Sequence, residues 1–309
     1  MSSVIVLGAK GRFGRAAVHA FSEAGWHVTR AGRGLSGADC VEVDATDTAA
    51  VVSACAGQDV IVNAVHPPYH QWAETVPRVT QAVIAAARAS CATVMIPGNI
   101  YNYGREMPPV LREDTPWVAN TRKGGIRIRM EQAYRDSGVR TIVLRGGDFL
   151  DTRASGNWFE SHIAPKAGQG KLTYPGPRNL IHAWAYLPDM ARAMVGLAER
   201  RQDFEGYEEF GFGGYALTGD DLIAVVEQVI GKPMRVSRLP WWAVRVTGLW
   251  SPLMREVIEM RYIWHRPHQV DGTKLRTALP GFRETPVQEA IATSLSSQTS
   301  AYVLAAKNA

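Results

Sequence analysis

The sequence predicts an α/β fold: a doubly wound parallel sheet followed by a smaller C-terminal α/β region. Three observations predict it. An apolar run from Val4 to Leu7 meets glycines at Gly8, Gly11 and Gly14 and passes directly into a helical pattern at Ala16, Ala17, Ala20 and Phe21. Apolar strand runs and helical patterns then alternate through residue 146, the rhythm of a parallel sheet with crossover helices. From Asp151 the rhythm loosens, with Pro and Gly clusters at 165–177. The expected division is therefore a first domain over 1–150 and a second region over 151–309, with some crossover back to the sheet.

The glycine turn carries the first chemical expectation. Strand, tight turn and helix in this order let backbone approach a pyrophosphate closely, and the helix N-terminus offers free N–H groups and partial positive charge to the anion. A second strand at Trp26–Arg30 follows at βαβ spacing. This is a Rossmann-like dinucleotide site, with Gly8, Lys10, Gly11, Arg12, Phe13 and Gly14 at the cofactor. An acidic residue ending the second strand would accept from the adenosine ribose hydroxyls. The chain has Arg30 and Arg33 there instead. Guanidinium pairs bidentately with phosphate, so NADP is expected over NAD. The alternative is two solvated surface arginines.

The remaining elements follow in order. Val41–Asp44 reads as a short strand and Thr46–Cys55 as a helix, with Asp44 at the strand's carboxyl end, where open parallel sheets bind ligands. Asp59–Val65 is a buried strand that leaves through NAVHPPYHQW. His66 and His70 stand four apart, but Pro67 and Pro68 oppose the helix a metal pair would need, so no metal is expected. His66, Tyr69 and Trp72 are candidates for substrate contact. A helix over 73–89, a strand at Thr93–Pro97, the segment GNIYNYG, a helix over 122–137 ending at Gly138, and a sixth strand at Thr141–Arg145 complete the first domain. Gly146, Gly147 and Asp148 would border the substrate space. HAWAYLPDMARAMVGLAER gives an extended stretch and a helix, with Trp184 a further substrate candidate and Asp189 a structural one. Thr218 and Asp220 would cap a helix over 218–231. Residues 240–268 interleave Trp241, Trp242, Trp250 and Trp264 with Arg245, Arg255 and Arg261. A helical lid or a homodimer surface is the preferred reading, ahead of interfacial membrane contact.

Composition narrows the classes further. The 309 residues are 46% hydrophobic, enough for a substantial core. The formal charge of +5 comes from scattered arginines without a basic and aromatic run, which argues against nucleic acid. Cys40, Cys55 and Cys91 lack metal-type spacing and are odd in number, as suits a reducing cytoplasm. The start has no signal-peptide pattern, and no uncharged apolar run reaches membrane-spanning length.

The G-x-x-G-x-x-G turn, NAV after the fourth strand, NYG after the fifth, RGGDFLD after the sixth, AYLPDMARA and ALTGDDL together resemble the NAD(P)-dependent epimerase/dehydratase family of extended or atypical short-chain dehydrogenases/reductases. The resemblance implies that Asp44 meets the adenine amino group and that Asn63, Ala64 and Val65 pass beside the nicotinamide ribose. It also implies a Ser or Thr, a Tyr and a Lys four residues after the Tyr as the catalytic set. Matched to this chain, those positions hold Asn99, Lys123 and Arg127, and none of the seven lysines has a tyrosine four residues before it. Asn99 can still bond a substrate oxygen, and Arg127 can still donate to the ribose hydroxyls.

Lys123 stays open. Beside Arg127 and a cofactor its pKa would fall and make it a proton donor. Alternatively Lys123, Arg127 and Glu131 form an i, i+4 ladder on an exposed helix face. Isoflavone-reductase-type enzymes use a lysine, but that lysine matches Arg127 better than Lys123. Tyr101 is a further proton donor, whereas Tyr103 matches a structural tyrosine of the family. Two functions result: an NADP-dependent oxidoreductase or epimerase-like enzyme acting on a small carbonyl or hydroxyl compound, or a catalytically silent NADP-binding sensor similar in logic to NmrA-like regulators.

Overall fold

Apolar residues of alternating register build the centre of the molecule, seen in a computed structural model that describes residues 1–153 and 155–296. Strands β1 (Ser3–Leu7), β2 (His27–Gly32), β3 (Cys40–Glu42), β4 (Val60–Asn63), β5 (Thr93–Gly98), β7 (Thr141–Arg145) and β11 (Tyr207–Gly211) form one sheet. The short β6 (Val110–Leu111) lies outside it, paired with β14 (Gln269–Val270). The sheet runs β11-β7-β5-β4-β1-β2-β3, every neighbouring pair parallel. The strand order reverses between β1 and β4, where Leu7 registers with Asn63. This is the doubly wound sheet expected from the sequence, and its crevice opens at that switch point. The seventh strand comes from residues 207–211, beyond residue 150.

Period-two alternation sends successive side chains to opposite faces. Ile5, Leu7, Ile61, Val94 and Ile96 pack under α2 (Thr48–Ala54), α3 (Trp72–Ser90) and α4 (Arg122–Ser137). Val4, Val6, Val60, Val62 and Met95 pack under α1 (Arg12–Glu23) and α5 (Leu187–Glu199). The strand expected at 59–65 is trimmed at its start because the Asp59 carboxylate turns to accept from Ser3 N at 2.8 Å. The helix expected at 46–55 begins at Thr48 because Asp47 caps it, accepting from Ala50 N at 3.1 Å.

The remaining elements gather on one side. β8 (Asp148–Leu150), β10 (Ile181–Tyr186) and β12 (Tyr215–Thr218) make a three-stranded sheet, and β9 (Lys171–Tyr174) pairs with β13 (Arg235–Arg238). With α6 (Gly219–Ile230) they enclose a third core of Leu150, Phe159, Leu172, Trp184, Leu222 and Trp264. Thr218 caps α6 in a reciprocal capping box with Asp221. The Trp-rich segment folds as α7 (Trp241–Thr247) and α8 (Pro252–Glu259), followed by a 3-10 turn at Met260–His265; α9 (Thr273–Ala278) comes next, and residues 287–296 are again helical. Among the described residues no helix is long and apolar enough to cross a membrane. Residues 297–309, where the second region was expected to end, lie outside the described ones.

Candidate functional site

The glycine turn is built by exclusion. Gly8 has φ +78°, and a Cβ on it would stand 2.8 Å from the Ala64 carbonyl oxygen; a Cβ on Gly14 would stand 2.2 Å from the carbonyl oxygen of Gly8. Neither position accepts a side chain, so the turn nests against the chain leaving β4. Gly11 precedes α1 with no side-chain cap, and the first turn of that helix carries no acid. Its N–H groups and dipole therefore face the crevice, an arrangement that fits a pyrophosphate. Phe13 is buried at 5% exposure, packed with the core, so only its backbone reaches the crevice.

The cations around the turn divide into two groups. Lys10 Nζ donates to the carbonyls of Arg33 and Gly34 and so holds the β2 end against the glycine turn. Arg12 Nη1 reaches across to Asn157 Oδ1 at 2.7 Å, tying the turn to the second region. Arg30 donates one bond, to the Ala38 carbonyl at 3.1 Å, and both Arg30 and Arg33 are exposed. Asp44 Oδ1 accepts from Thr46 N and Oγ1, both at 2.9 Å, and these bonds hold the carboxyl below its usual range.

Ala64 and Val65 continue from the switch point, with Ala64 N on Leu7 O at 3.0 Å and Val65 N on Asn63 Oδ1 at 3.3 Å. His66 is exposed at the rim of the crevice. The protein crowding its ring first, then the charges of Arg12 and Arg127, push its pKa down. Tyr69 and Trp72 pack edge-on against His66. Beside them the Tyr69 and Tyr101 hydroxyls meet at 3.0 Å. Burial, with Tyr69 and the carboxylate of Asp148 adding to it, raises the Tyr101 pKa well above its usual value, so its phenol is a protonated donor near neutrality. Asn99 caps the turn that carries Tyr101, accepting from Tyr101 N at 3.1 Å through its side-chain oxygen.

The exposed-ladder reading of Lys123 is corrected. The helix does not expose the Lys123, Arg127 and Glu131 ladder: Lys123 is 1% and Glu131 0% exposed. Nor does Lys123 lie against Arg127. Its ammonium donates to the Glu256 carbonyl at 3.0 Å, to the Glu256 carboxylate and to Glu259 Oε2 at 2.6 Å. These take up all three donors of the ammonium. Arg122 adds a bond to Glu256 Oε1 at 2.9 Å, so α8 is clamped to the start of α4.

Arg127 donates to Pro97 O at 3.2 Å and Glu131 Oε1 at 3.3 Å, while its Nε is buried with no partner among the described residues. Beneath it lies a closed charge network. Arg145 binds Glu131 Oε2 at 2.6 Å, Glu209 Oε1 at 2.5 Å and the Asn99 carbonyl at 2.5 Å, and Tyr207 donates to Glu131 at 3.0 Å. Two guanidiniums and two carboxylates balance there. Glu131, Arg145 and Glu209 thus support the loop that carries Asn99 and Tyr101.

On the far wall Asp148 Oδ2 meets His182 Nε2 at 2.7 Å, and His182 stacks on Trp264 at 4.1 Å. Gly147 lets β8 approach β10, since a Cβ there would stand 2.2 Å from Ala183 O. Trp184, expected at the substrate, is corrected: it is 1% exposed, behind His182 among Phe159 and Trp264. An alternating strand gave no sign of which face the crevice would take. Sequence reasoning also missed His182, Glu256, Glu259 and Asn157, each joined to the site by contacts without local spacing. Gly124 is a close contact: a Cβ there would stand 2.5 Å from the Tyr101 carbonyl oxygen. No cluster of His, Cys, Asp and Glu that could hold a metal occurs among the described residues.

Comparison with known proteins agrees with this geometry. Residues 8–170 match the profile of a family described as NAD(P)H-binding. No curated protein matches the chain. Among solved structures, the chain is similar to UDP-glucose 4-epimerase from Bifidobacterium longum, in complex with NAD+ and UDP, at 16% identity, covering 97% of this chain and 98% of that one with TM-score 0.75. It is similar to a nucleoside-diphosphate-sugar epimerase from Pseudomonas aeruginosa at 16% identity, 97% and 98% coverage and TM-score 0.74. UDP-glucose 4-epimerase from Stenotrophomonas maltophila, with bound NAD and formylated UDP-arabinopyranose, gives 14%, 98% and 100%, and 0.78. At these identities the likeness establishes a shared fold.

Proposed function

Since the chain belongs to the NAD(P)H-binding family, we propose that it is an NADP-dependent oxidoreductase or epimerase-like enzyme of the atypical short-chain type, acting on a small carbonyl compound. The observation that carries the reading is the Tyr69–Tyr101 hydroxyl pair at 3.0 Å, beside the carboxyl end of the sheet. When bound, the reduced cofactor supplies the two electrons and one hydrogen that a carbonyl carbon takes up. The chain's own groups do the rest. Phe13 and Gly14, in the first turn of α1, offer backbone N–H groups to the pyrophosphate, Gly8 and Gly11 leave room for it while their own N–H groups bond Ala31 O and Gly8 O, and Arg33 and Arg30 take the 2′-phosphate. Lys10 and Arg12 hold the turn in shape. Asp44 presents its second carboxylate oxygen to the adenine amino group. Ala64 and Val65 flank the ribose, and Arg127 donates to it.

Tyr101 gives a proton to the substrate oxygen, Tyr69 replaces it through their shared hydrogen bond, and solvent at the half-buried Tyr69 restores the proton that Tyr69 gives up. Asn99 orients that oxygen with its amide. His66, Tyr69 and Asp148 line the substrate space, with His182 fixing the Asp148 carboxylate. A phenol held protonated matches the carbonyl-reducing direction. Lys123 serves as a pin between α4 and α8. In this reading residues 1–150 hold the cofactor, the described residues beyond 150 that lie outside the central sheet and α5 close over the substrate, and the protein works in the cytoplasm.

A second reading is favoured by one observation. Lys123, at the position of the family's catalytic tyrosine, has every donor occupied by α8. A cofactor sensor whose partner responds to α8 would use that clamp instead of chemistry. Absorbance at 340 nm with NADPH and a panel of small aldehydes and ketones separates the two. Consumption dependent on a carbonyl supports the enzyme. Tight NADPH binding with no consumption across the panel assigns the sensor.

A further inference from the structure

The α7–α8 hairpin is apolar on the side that faces solvent. Its inner side packs Trp241, whose indole donates to Pro175 O at 2.6 Å, with Val244 and Val257 against the third core. Its outer side shows Trp242 at 73% exposure, Val246 at 47%, and Leu249 and Trp250 at 71% and 77%. Positions 242, 246, 249 and 250 recur at helical spacing, so they share one face running onto the turn between the helices. The other exposed large apolar side chains among the described residues, Met1, Val118 and Ile181, are scattered singly. A face meant for water would be polar.

Charge says what covers this face. From Gln228 to Arg255 there is no Asp or Glu, while Lys232, Arg235, Arg238, Arg245 and Arg255 all occur and all are exposed. The next acids, Glu256 and Glu259, turn inward onto Arg122 and Lys123. A cluster of exposed tryptophan and leucine, flanked along the chain by exposed cations and no acid between Gln228 and Arg255, matches the boundary between acyl chains and anionic headgroups. A twofold contact with a second copy would instead set this positive surface against itself.

We infer that the α7–α8 hairpin is a docking surface for an anionic lipid membrane, seated through Trp242, Val246, Leu249 and Trp250 and held by the flanking arginines. Its attachment to the site is direct, since α8 carries the two carboxylates that grip Lys123. The inference concerns binding alone and stands whether or not the chain reduces a carbonyl.

The test is co-sedimentation of the full chain with vesicles of phosphatidylcholine alone, or of phosphatidylcholine mixed with an equal part of phosphatidylglycerol. The expected result is binding to the mixed vesicles, release by added salt and a blue shift of tryptophan emission. The triple variant W242S/L249S/W250S should lose about tenfold or more of the partition, with unchanged circular dichroism. The variant R238S/R245S should lose the preference for phosphatidylglycerol. Absence of wild-type binding, or binding indifferent to both variants, overturns the inference. So does a concentration-dependent dimer in sedimentation that the triple variant abolishes without any vesicle binding, which assigns the face to a second copy.

Discussion

Replacing Arg145 by methionine is expected to lower the unfolding free energy by about 3–5 kcal/mol, because it leaves buried carboxylates without their counter-charge. Arg145 is 1% exposed and joins Glu131, Glu209 and the Asn99 carbonyl. Without it Glu209 keeps the Tyr103 hydroxyl at 3.2 Å, and Glu131 keeps Arg127 and Tyr207. For a chain of this length the loss corresponds to a fall in Tm of about 5–8 °C in a thermal scan. A change of less than a degree would show that the network contributes nothing.

The same network sets an acid limit. Burial opposes ionisation of Glu131, but Arg145 and Arg127 outweigh it and hold the carboxyl below its ordinary 4.5. A depressed folded-state pKa gives stability that is present above the unfolded value and lost as pH falls through the folded one. Wild-type stability should therefore decline below about pH 4.5, and less steeply in R145M.

Tyr101→Phe is expected to lower kcat by about 10²–10⁴-fold, the range for removal of a positioned proton donor. Affinity for NADPH should hold, since the hydroxyl bonds Tyr69 and no residue of the glycine turn. Tyr69→Phe should cost less, because Tyr101 would keep its own proton and lose only its replacement. Burial lifts the Tyr101 pKa well above the ordinary phenol value, so activity should stay level from about pH 6 to 9, with the phenol protonated throughout. An alkaline limb inside that range, or a Tyr101→Phe enzyme of unchanged kcat, would remove Tyr101 from the chemistry.

The first half of the fold was legible because local pattern and global packing agree there. Val4 and Val6 face one helix layer and Ile5 and Leu7 the other, so a run apolar at every position signals a strand buried on both sides. The glycines at 8 and 14 were legible for a related reason, since contact with backbone 64 and backbone 8 leaves no room for a side chain. The site was legible only where its partners are close in sequence. Lys123 lies 133 and 136 residues from the carboxylates that hold it, and Arg12 lies 145 from Asn157. Spacing along one helix suggested Arg127 as the neighbour of Lys123, while the fold turned Lys123 toward α8. Tyr69 and Tyr101, 32 residues apart on separate loops, appeared as individual candidates, and only the fold paired their hydroxyls.

Titration calorimetry of NADPH and NADH against the wild-type chain and Arg33→Ser tests the central claim most directly. The account predicts that the wild type binds NADPH about tenfold or more tightly than NADH, as a guanidinium on a 2′-phosphate should give, and that Arg33→Ser brings the two close to parity. Equal affinities in the wild type, or tighter binding of NADH, would contradict it.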